Sequence, residues 1–266
     1  MFTARELSSP VAAIREEHAP DAVVVDCDRD FETLAPAQSE DLGLLVDSLE
    51  PATYPAAWLP EDAPELLVRY ASNDFTIGMP GDGSITWTHQ TDPPTVIVKP
   101  RVEGSPEPFL DFLLAEALVE VGLEVPEHFL GFFEEEYPNL EQATALDPAG
   151  TYQIAAALYD GWTGLHTRDV FAAWDEDEDE GGTHPELADA WRDAGTRLED
   201  RVSGLPGAVA RGETDFADAT ELACAAIKHG LELPAPFDAL DTDAYRDHGS
   251  DYAVTWAEKT FDALED

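Results

Sequence analysis

The charge of this chain limits its folded states more than any motif does. Its 57 Asp and Glu residues far outnumber its 14 Lys and Arg residues, which leaves a formal net charge of -43 on 266 residues. Like charges at this density repel one another over a Debye length of about 10 Å at 0.1 M salt but only about 3 Å at 1 M. The sequence therefore predicts a salt-adapted protein that is most stable in molar salt.

The acidity does not indicate a disordered chain. Hydrophobic residues make up 44% of the sequence and aromatic residues 9%. Chains that stay unfolded are poor in both groups, because they cannot bury enough apolar surface to offset the entropy lost on folding. We therefore expect a globular protein with a substantial core.

The same composition excludes several classes of partner. No basic stripe is present to neutralise phosphates, so we expect no nucleic-acid partner. No apolar run approaches 18 residues and the N-terminal segment carries acidic residues, so we expect no membrane partner and a cytoplasmic location. Cys27 and Cys224 are far apart and predict buried free thiols. A protein partner is possible, and the oligomeric state stays open.

The pattern of the chain changes near residue 104. Residues 1–104 predict a mixed α/β lobe with a small antiparallel sheet: a helix capped by Thr3, a buried strand at 22–25, and helices at 39–49 and 63–70. Period-2 alternation broken by PGDG at 80–83 predicts a hairpin, followed by a third strand at 95–99. The fold class expected is α+β and predominantly helical.

Residues 105–266 predict a helical bundle lobe. Asp147 followed by Pro148 is typical of an N-cap and first helical residue, and apolar residues at helical spacing follow it. Further helices are expected near residues 187–202, 216–227 and 253–264. The acidic segment at 175–183 is too charged to pack and predicts a flexible, solvated loop.

The segment VVVDCDRDFET places three aspartates after an apolar strand. An EF-hand loop starting at Asp26 would need Gly and Glu where Phe31 and Ala37 stand, so that site is excluded. The segment also resembles the first motif of the haloacid-dehalogenase-like phosphatases, which implies Asp26 as nucleophile and Asp28 as general acid. The alternating strands and helices of that family are missing, and Arg29 replaces its usual small residue. A solvated acidic turn is the favoured interpretation.

Lys99 and Arg101 are two of the few cations, and they stand close together at the end of the third predicted strand. A close pair of cations is suited to an anionic ligand, which Arg can bind through two hydrogen bonds. The alternative is an internal salt bridge with one of the many carboxylates. Both interpretations stay open.

Glu116 and Glu120 stand four residues apart on an apolar helix, with Glu127 and His128 just beyond. This spacing puts both carboxylates on one helix face, where they can hold a divalent cation. The alternative is two surface carboxylates at the wet edge of a core helix. His128 is a candidate for acid–base chemistry with the same cluster.

His166 and Asp169 are three residues apart in a long helical segment, with Gly161 and Gly164 nearby. A His–Asp pair can serve acid–base catalysis, and the glycines can admit a ligand. The alternative is a pair that satisfies itself between packed helices.

Four segments, DCDRDFETL, FTIGMPGDG, HTRDVFAAWD and WAEKTFDAL, resemble an uncharacterised family of halophilic archaeal proteins, a domain of unknown function. The resemblance implies no activity, cofactor or catalytic residue. Two hypotheses follow from the residues. The first is a non-catalytic helical module that binds a protein or ligand. The second is a metal- or anion-dependent enzyme, of hydrolase or transferase type, with its site between the two lobes. The cofactor is unknown in either case.

Overall fold

The computed structural model describes residues 2–61, 63–72, 77–78, 83–175 and 183–265. The fold is α+β and predominantly helical, which confirms the fold class. Contacts divide the chain into two compact units. The first takes residues 1–54, 69–127 and 174–190, and the second takes residues 55–68, 128–173 and 191–266. Each unit combines three separate segments of the chain, because the units are defined by contacts. The domain boundary predicted near residue 104 therefore stays a prediction.

Six short strands lie in the described part of the first unit. They are β1 (Phe2–Ala4), β2 (Val23–Cys27), β3 (Ser48–Leu49), β4 (Ile85–Thr88), β5 (Thr91–Asp92) and β6 (Thr95–Val98). A four-stranded sheet has the order β1, β2, β6, β4, and a two-stranded sheet pairs β3 with β5.

Most of the remaining described residues are helical. The helices are α1 (Ser9–His18), α2 (Pro36–Leu42), α3 (Glu65–Ala71), α4 (Glu107–Gly122), α5 (Phe129–Phe133), α6 (Tyr137–Thr144), α7 (Pro148–Ala173), α8 (Pro185–Ser203), α9 (Leu205–Ala210), α10 (Phe216–Ile227) and α11 (Asp243–Glu265). Short 3-10 turns connect several of them.

The four-stranded sheet is mixed, so the expectation of an antiparallel sheet is corrected. Strands β2 and β6 pair in parallel, with Val23 opposite Thr95 and Asp26 opposite Val98, while β1 and β4 join the edges in antiparallel. Parallel strands require a long crossover, and the 67 residues from 28 to 94 supply it. The continuous apolar runs of β2 and β6 are typical of strands buried on both faces.

The first unit buries its core between the sheet and the segments around it. Phe2, Val25, Leu34 and Ile97 belong to one buried cluster, which joins the outer strand, the parallel pair and the segment after β2. Helix α1 packs against α4 so closely that a Cβ atom at Gly122 would lie 2.9 Å from the carbonyl carbon of His18. A glycine is therefore needed where the two helices meet.

The second unit is helical, and helix α7 runs through its core. Helix α7 packs along α10, and α6 packs along α11. A Cβ atom added at Gly161 of α7 would lie 3.1 Å from the Sγ atom of Cys224 on α10. Both cysteines are buried free thiols, as the sequence predicts.

Two predicted element boundaries are wrong. Thr3 lies in strand β1, and the first helix begins only at Ser9, because Pro10 favours the first turn of a helix. The helix predicted at 39–49 ends at Leu42, where Gly43 forms the C-cap, and β3 follows. Most of the predicted hairpin turn at 80–83 and most of the predicted loop at 175–183 lie outside the described residues.

Candidate functional site

The parallel strands bring two of the predicted features to one edge of the sheet. Asp26 stands opposite Val98 in the parallel pairing, so the carboxyl ends of β2 and β6 lie side by side. The acidic segment at 26–32 begins in the last two residues of β2 and continues beyond it, and Lys99 and Arg101 follow β6. In sheets with parallel strands this edge is where ligands most often bind. We call these residues the carboxyl-edge cluster.

Arg101 ties the two halves of the carboxyl-edge cluster together. Its Nε atom donates to Oδ1 of Asp30 at 2.8 Å, and its Nη2 atom donates to Oε1 of Glu32 at 3.0 Å and to the carbonyl oxygen of Phe31 at 3.1 Å. The hydrogen bond and charge of Arg101 hold the pKa of the Asp30 carboxyl below its usual value. An anionic ligand would have to compete with these carboxylates for the guanidinium.

Lys99, two residues before Arg101, is completely buried. Its Nζ atom sits 4.6 Å from the centroid of the Phe31 ring, a cation–π contact that stabilises the ammonium away from water. Lys99 thus contacts the ring of Phe31, and Arg101 contacts its carbonyl oxygen. Both cations hold the segment after β2 against β6, and their role toward an external anion stays a prediction.

Asp26 and Cys27, which precede Asp30, have structural partners of their own. Asp26 forms an ion pair with Arg5, and the Cys27 thiol donates to the carbonyl oxygen of Arg29 at 3.0 Å. The side chain of Asp26 is 43% exposed, as suits a partly solvated turn. The phosphatase roles implied for Asp26 and Asp28 have no further support from these contacts.

Glu116 and Glu120 both lie on α4, but their surroundings differ. Glu116 is buried, with 8% of its surface exposed. Glu120 accepts a hydrogen bond of 2.6 Å from the indole nitrogen of Trp87 on β4. Among residues 2–61, 63–72, 77–78, 83–175 and 183–265, no group of three or more His, Cys, Asp and Glu side chains is arranged to hold a metal ion. The metal role of the two glutamates stays a prediction.

His128 begins helix α5 and caps it. Its Nδ1 atom accepts a hydrogen bond of 3.0 Å from the backbone nitrogen of Leu130, and its ring lies 4.4 Å from that of Phe129. Burial lowers the pKa of the imidazole to about 3, so it is neutral at ordinary pH. The neutral imidazole of His128 serves as a helix cap, and this role accounts for its position without any catalytic function.

His166 and Asp169 project from α7 toward different contacts. Asp169 forms an ion pair of 3.6 Å with Arg246, and the ring of His166 lies 4.5 Å from that of Trp162. Burial and the nearby charge of Arg246 lower the pKa of His166. Their acid–base role stays a prediction.

The sequence did not predict the polar network around Glu127 in the first unit. The Glu127 carboxylate accepts hydrogen bonds from three consecutive residues, Thr88 at the end of β4 and then His89 and Gln90. Burial raises the pKa of this carboxyl despite those donors. A polar Thr-His-Gln run between two strands was the available signal, but its partner stands 37 to 39 residues away.

A comparison with family models confirms that this chain falls in a family of unknown function, while the halophilic archaeal source stays a prediction. Residues 1–264 match the model of a family described as a family of unknown function (DUF7089). The chain belongs to this family. The DUF7089 match covers both compact units of this chain.

Two wider searches add nothing to the DUF7089 assignment. Neither the curated proteins nor the solved structures contain a match to this chain. Within the described residues, no helix is both long and apolar enough to cross a membrane.

Proposed function

We propose that the protein is a salt-adapted cytoplasmic binding module that acts by docking onto another protein rather than by catalysis. The observation that carries this proposal is a pair of adjacent leucines after α2. Leu44 is 83% exposed and Leu45 is 47% exposed, whereas Leu42 just before them is fully buried. We call Leu44 and Leu45 the leucine pair.

The setting of the leucine pair indicates the kind of partner. Glu40, Asp41 and Asp47 are exposed on either side of it in the sequence. In molar salt, attraction between charges is screened beyond about 3 Å, while burial of apolar surface is not screened. The leucines would supply the affinity, and the carboxylates would select, at short range, an apolar cleft bordered by Lys or Arg.

The internal roles of the predicted catalytic and anion-binding residues support a non-catalytic module. His128 caps a helix, Arg101 holds the segment after β2, and Asp169 pairs with Arg246. Each contact gives the side chain a structural purpose. The chemistry predicted from the sequence is therefore not needed to explain why these residues are present.

Site-specific photo-crosslinking in the native cells tests the docking proposal. A benzoylphenylalanine at position 44 should crosslink to one main protein, and the crosslinked peptide should be apolar with Lys or Arg beside it. The matched control carries the same group at Leu264, which is 54% exposed on α11. Absence of a product at position 44, or the same products from both positions, would contradict the proposal.

The enzyme hypothesis is the alternative, and one observation favours it. The carboxyl-edge cluster stands where parallel strands most often bind ligands, and it carries both Lys99 and Arg101. Elemental analysis and native mass spectrometry of protein purified in molar KCl, without chelators, separate the two proposals. A stoichiometric metal or organic ligand would favour the enzyme, and an empty protein would favour the binding module.

A further inference from the structure

One stretch of the second unit lacks the acidic residues that are frequent elsewhere in the chain. Residues 201–212, RVSGLPGAVARG, include two arginines and neither Asp nor Glu. Since 57 of the 266 residues are acidic, a stretch of this length would carry two or three acids. The sequence contains one other acid-free stretch as long, residues 148–159, which has no cation and begins helix α7. The positive charge at 201–212 is therefore unusual in this chain.

Two apolar side chains fix this stretch to the second unit. It spans the end of α8, all of α9 and the two residues that follow α9. Val202 and Leu205 are buried, with 1% and 3% of their surface exposed. Arg201, which precedes α9, and Arg211, which follows it, are both exposed. The anchored stretch thus leaves both guanidinium groups in contact with solvent.

A third exposed arginine lies on the same side of α8. Arg197 precedes Arg201 by four residues, a spacing that puts two side chains on one helix face. Arg197 forms an ion pair of 2.6 Å with Asp193, and these two side chains are 75% and 63% exposed. Arg201 makes no ion pair within the part of the chain that the structure describes. We call Arg197, Arg201 and Arg211 the arginine surface.

Arg211 lies against the backbone of α9. A Cβ atom added at Gly207 would come within 2.8 Å of the Nη1 atom of Arg211, so the guanidinium rests on a residue that has no side chain. The Nε and Nη2 atoms of Arg211 donate to the two carboxylate oxygens of Glu213, each at 2.7 Å. Glu213 is 58% exposed, and exposed pairs contribute little to stability, so another carboxylate can replace it.

We propose that the arginine surface is a docking site for an acidic segment of a partner protein, whose carboxylates take the place of Asp193 and Glu213. Arginine suits this partner because its planar guanidinium binds both oxygens of a carboxylate. Such contacts are about 2.7–2.9 Å long, so they persist in molar salt, where charges are screened beyond about 3 Å. This inference does not depend on the proposed docking function, because the arginine surface and the leucine pair share no residue and suit partners of opposite charge.

An acidic peptide fits this surface better than a nucleic acid does. Glu199 and Asp200 are exposed between Arg197 and Arg201 in the sequence. Duplex DNA carries one negative charge about every 1.7 Å, so its phosphates would lie against these acids as well as against the arginines. The side chains of an acidic peptide are separate and flexible, and they can reach the arginines individually. The net charge of -43 also repels a long polyanion more strongly than a short acidic segment.

Titration of the full chain with a short peptide of alternating Asp and Glu residues tests the docking site at constant molar KCl. In nitrogen-15 NMR, the side-chain Nε–H signals of the arginine surface should shift more than those of the other arginines. A peptide of alternating Asn and Gln residues is the control for the ligand and should cause no shift. This measurement uses the wild type, so its result does not depend on how a variant folds.

Substitutions at one position separate a forked contact from simple attraction between charges. Arg201→Gln should weaken binding of the acidic peptide roughly two- to fivefold, the usual contribution of one exposed ion pair. Arg201→Lys should also weaken binding, because lysine keeps the charge but cannot bind both carboxylate oxygens in the same way. Arg69→Gln is the matched control, since Arg69 is likewise exposed in the last turn of a helix, α3, and this variant should bind like the wild type.

Three results would overturn the proposal. Equal shifts of all arginine signals, or equal losses of affinity in Arg201→Gln and Arg69→Gln, would show that the attraction is not specific to this surface. Tighter binding of a DNA duplex than of the acidic peptide would assign the surface to nucleic acid. Self-association of the chain in sedimentation equilibrium, lost in Arg201→Gln, would assign it to contacts between copies, whereas a monomer that binds the peptide supports a separate acidic partner.

Discussion

The indole nitrogen Nε1 of Trp162 donates a hydrogen bond of 3.2 Å to the backbone carbonyl oxygen of Arg246. Arg246 stands three residues before Gly249, where helix α11 is interrupted by a residue with φ 51° and ψ -123°. A break of this kind frees carbonyl groups in the preceding turn, and a buried side chain has to satisfy them. Trp162 on α7 fills that role, so the interruption of α11 is part of the packing of the second unit.

We expect Gly249→Ala to cost about 2–3 kcal/mol of the free energy of unfolding. The positive φ angle strains any residue with a Cβ atom, and the new Cβ would lie 3.3 Å from Cε2 of Phe132. Urea unfolding at constant KCl, followed by fluorescence, measures the change. Gly212→Ala is the control, because Gly212 also has a positive φ, of 68°, but nothing lies within 4 Å of its added Cβ. It should lose only about 1 kcal/mol. Equal losses would show that the contact with Phe132 has no effect.

Glu134→Gly should stabilise the protein by about 1 kcal/mol. Glu134 has φ 50° and ψ -128°, a conformation in which any side chain is strained and glycine is not. Glu135→Gly removes the same charge from the next position of the same 3-10 turn and should instead lose about 0.5–1 kcal/mol. Urea unfolding of the two variants side by side measures both values. A lower free energy of unfolding in Glu134→Gly than in the wild type would show that the backbone conformation at Glu134 is not strained.

His128→Asn should make the stability of the protein less dependent on pH. The imidazole has a pKa of about 3 when folded and about 6.5 when unfolded, so it binds fewer protons in the folded state between these values. Its stabilisation is complete above pH 6.5 and is lost as the pH falls toward 3. Asn keeps an N-cap acceptor without titrating.

Unfolding free energies measured between pH 7 and pH 4 provide the test. We expect the wild type to lose roughly 3 kcal/mol more than His128→Asn over this interval. His248→Asn, which removes an exposed histidine from α11, should follow the wild type. If the curve of His128→Asn is as steep as that of the wild type, the buried imidazole does not govern acid stability.

Partial neutralisation of the surface should reduce the need for salt. The wild-type melting temperature should rise steeply between 0.1 M and 2 M KCl, because salt screens the repulsion among carboxylates. In a variant with five exposed acids replaced by their amides, the melting temperature should be higher at 0.1 M KCl and should rise less between 0.1 M and 2 M KCl. The five positions are Glu16, Asp21, Glu40, Asp41 and Glu103. If calorimetry shows the same rise in melting temperature for the wild type and the variant, screening is not the cause of the salt dependence.

Local signals in the sequence were sufficient for many of the elements. Asp147 was predicted to cap a helix, and its Oδ1 atom accepts a hydrogen bond of 2.8 Å from the backbone nitrogen of Gly150 at the start of α7. The apolar runs that became β2 and β6 were also predicted as strands. Caps and periodicity act over a few residues, so they can be recognised without the rest of the fold.

The sequence by itself determined the acidity, the α+β character and most helices, because charge and local periodicity are properties of neighbouring residues. Only the tertiary structure decided the parallel pairing of β2 with β6, the hydrogen bond from Arg101 to Asp30 and the hydrogen bonds that Glu127 accepts. The partners in these contacts are separated by 37 to 72 residues, and an excess of carboxylates offered each cation or donor many possible partners. Packing of the core selects among them, since it sets which distant segments meet.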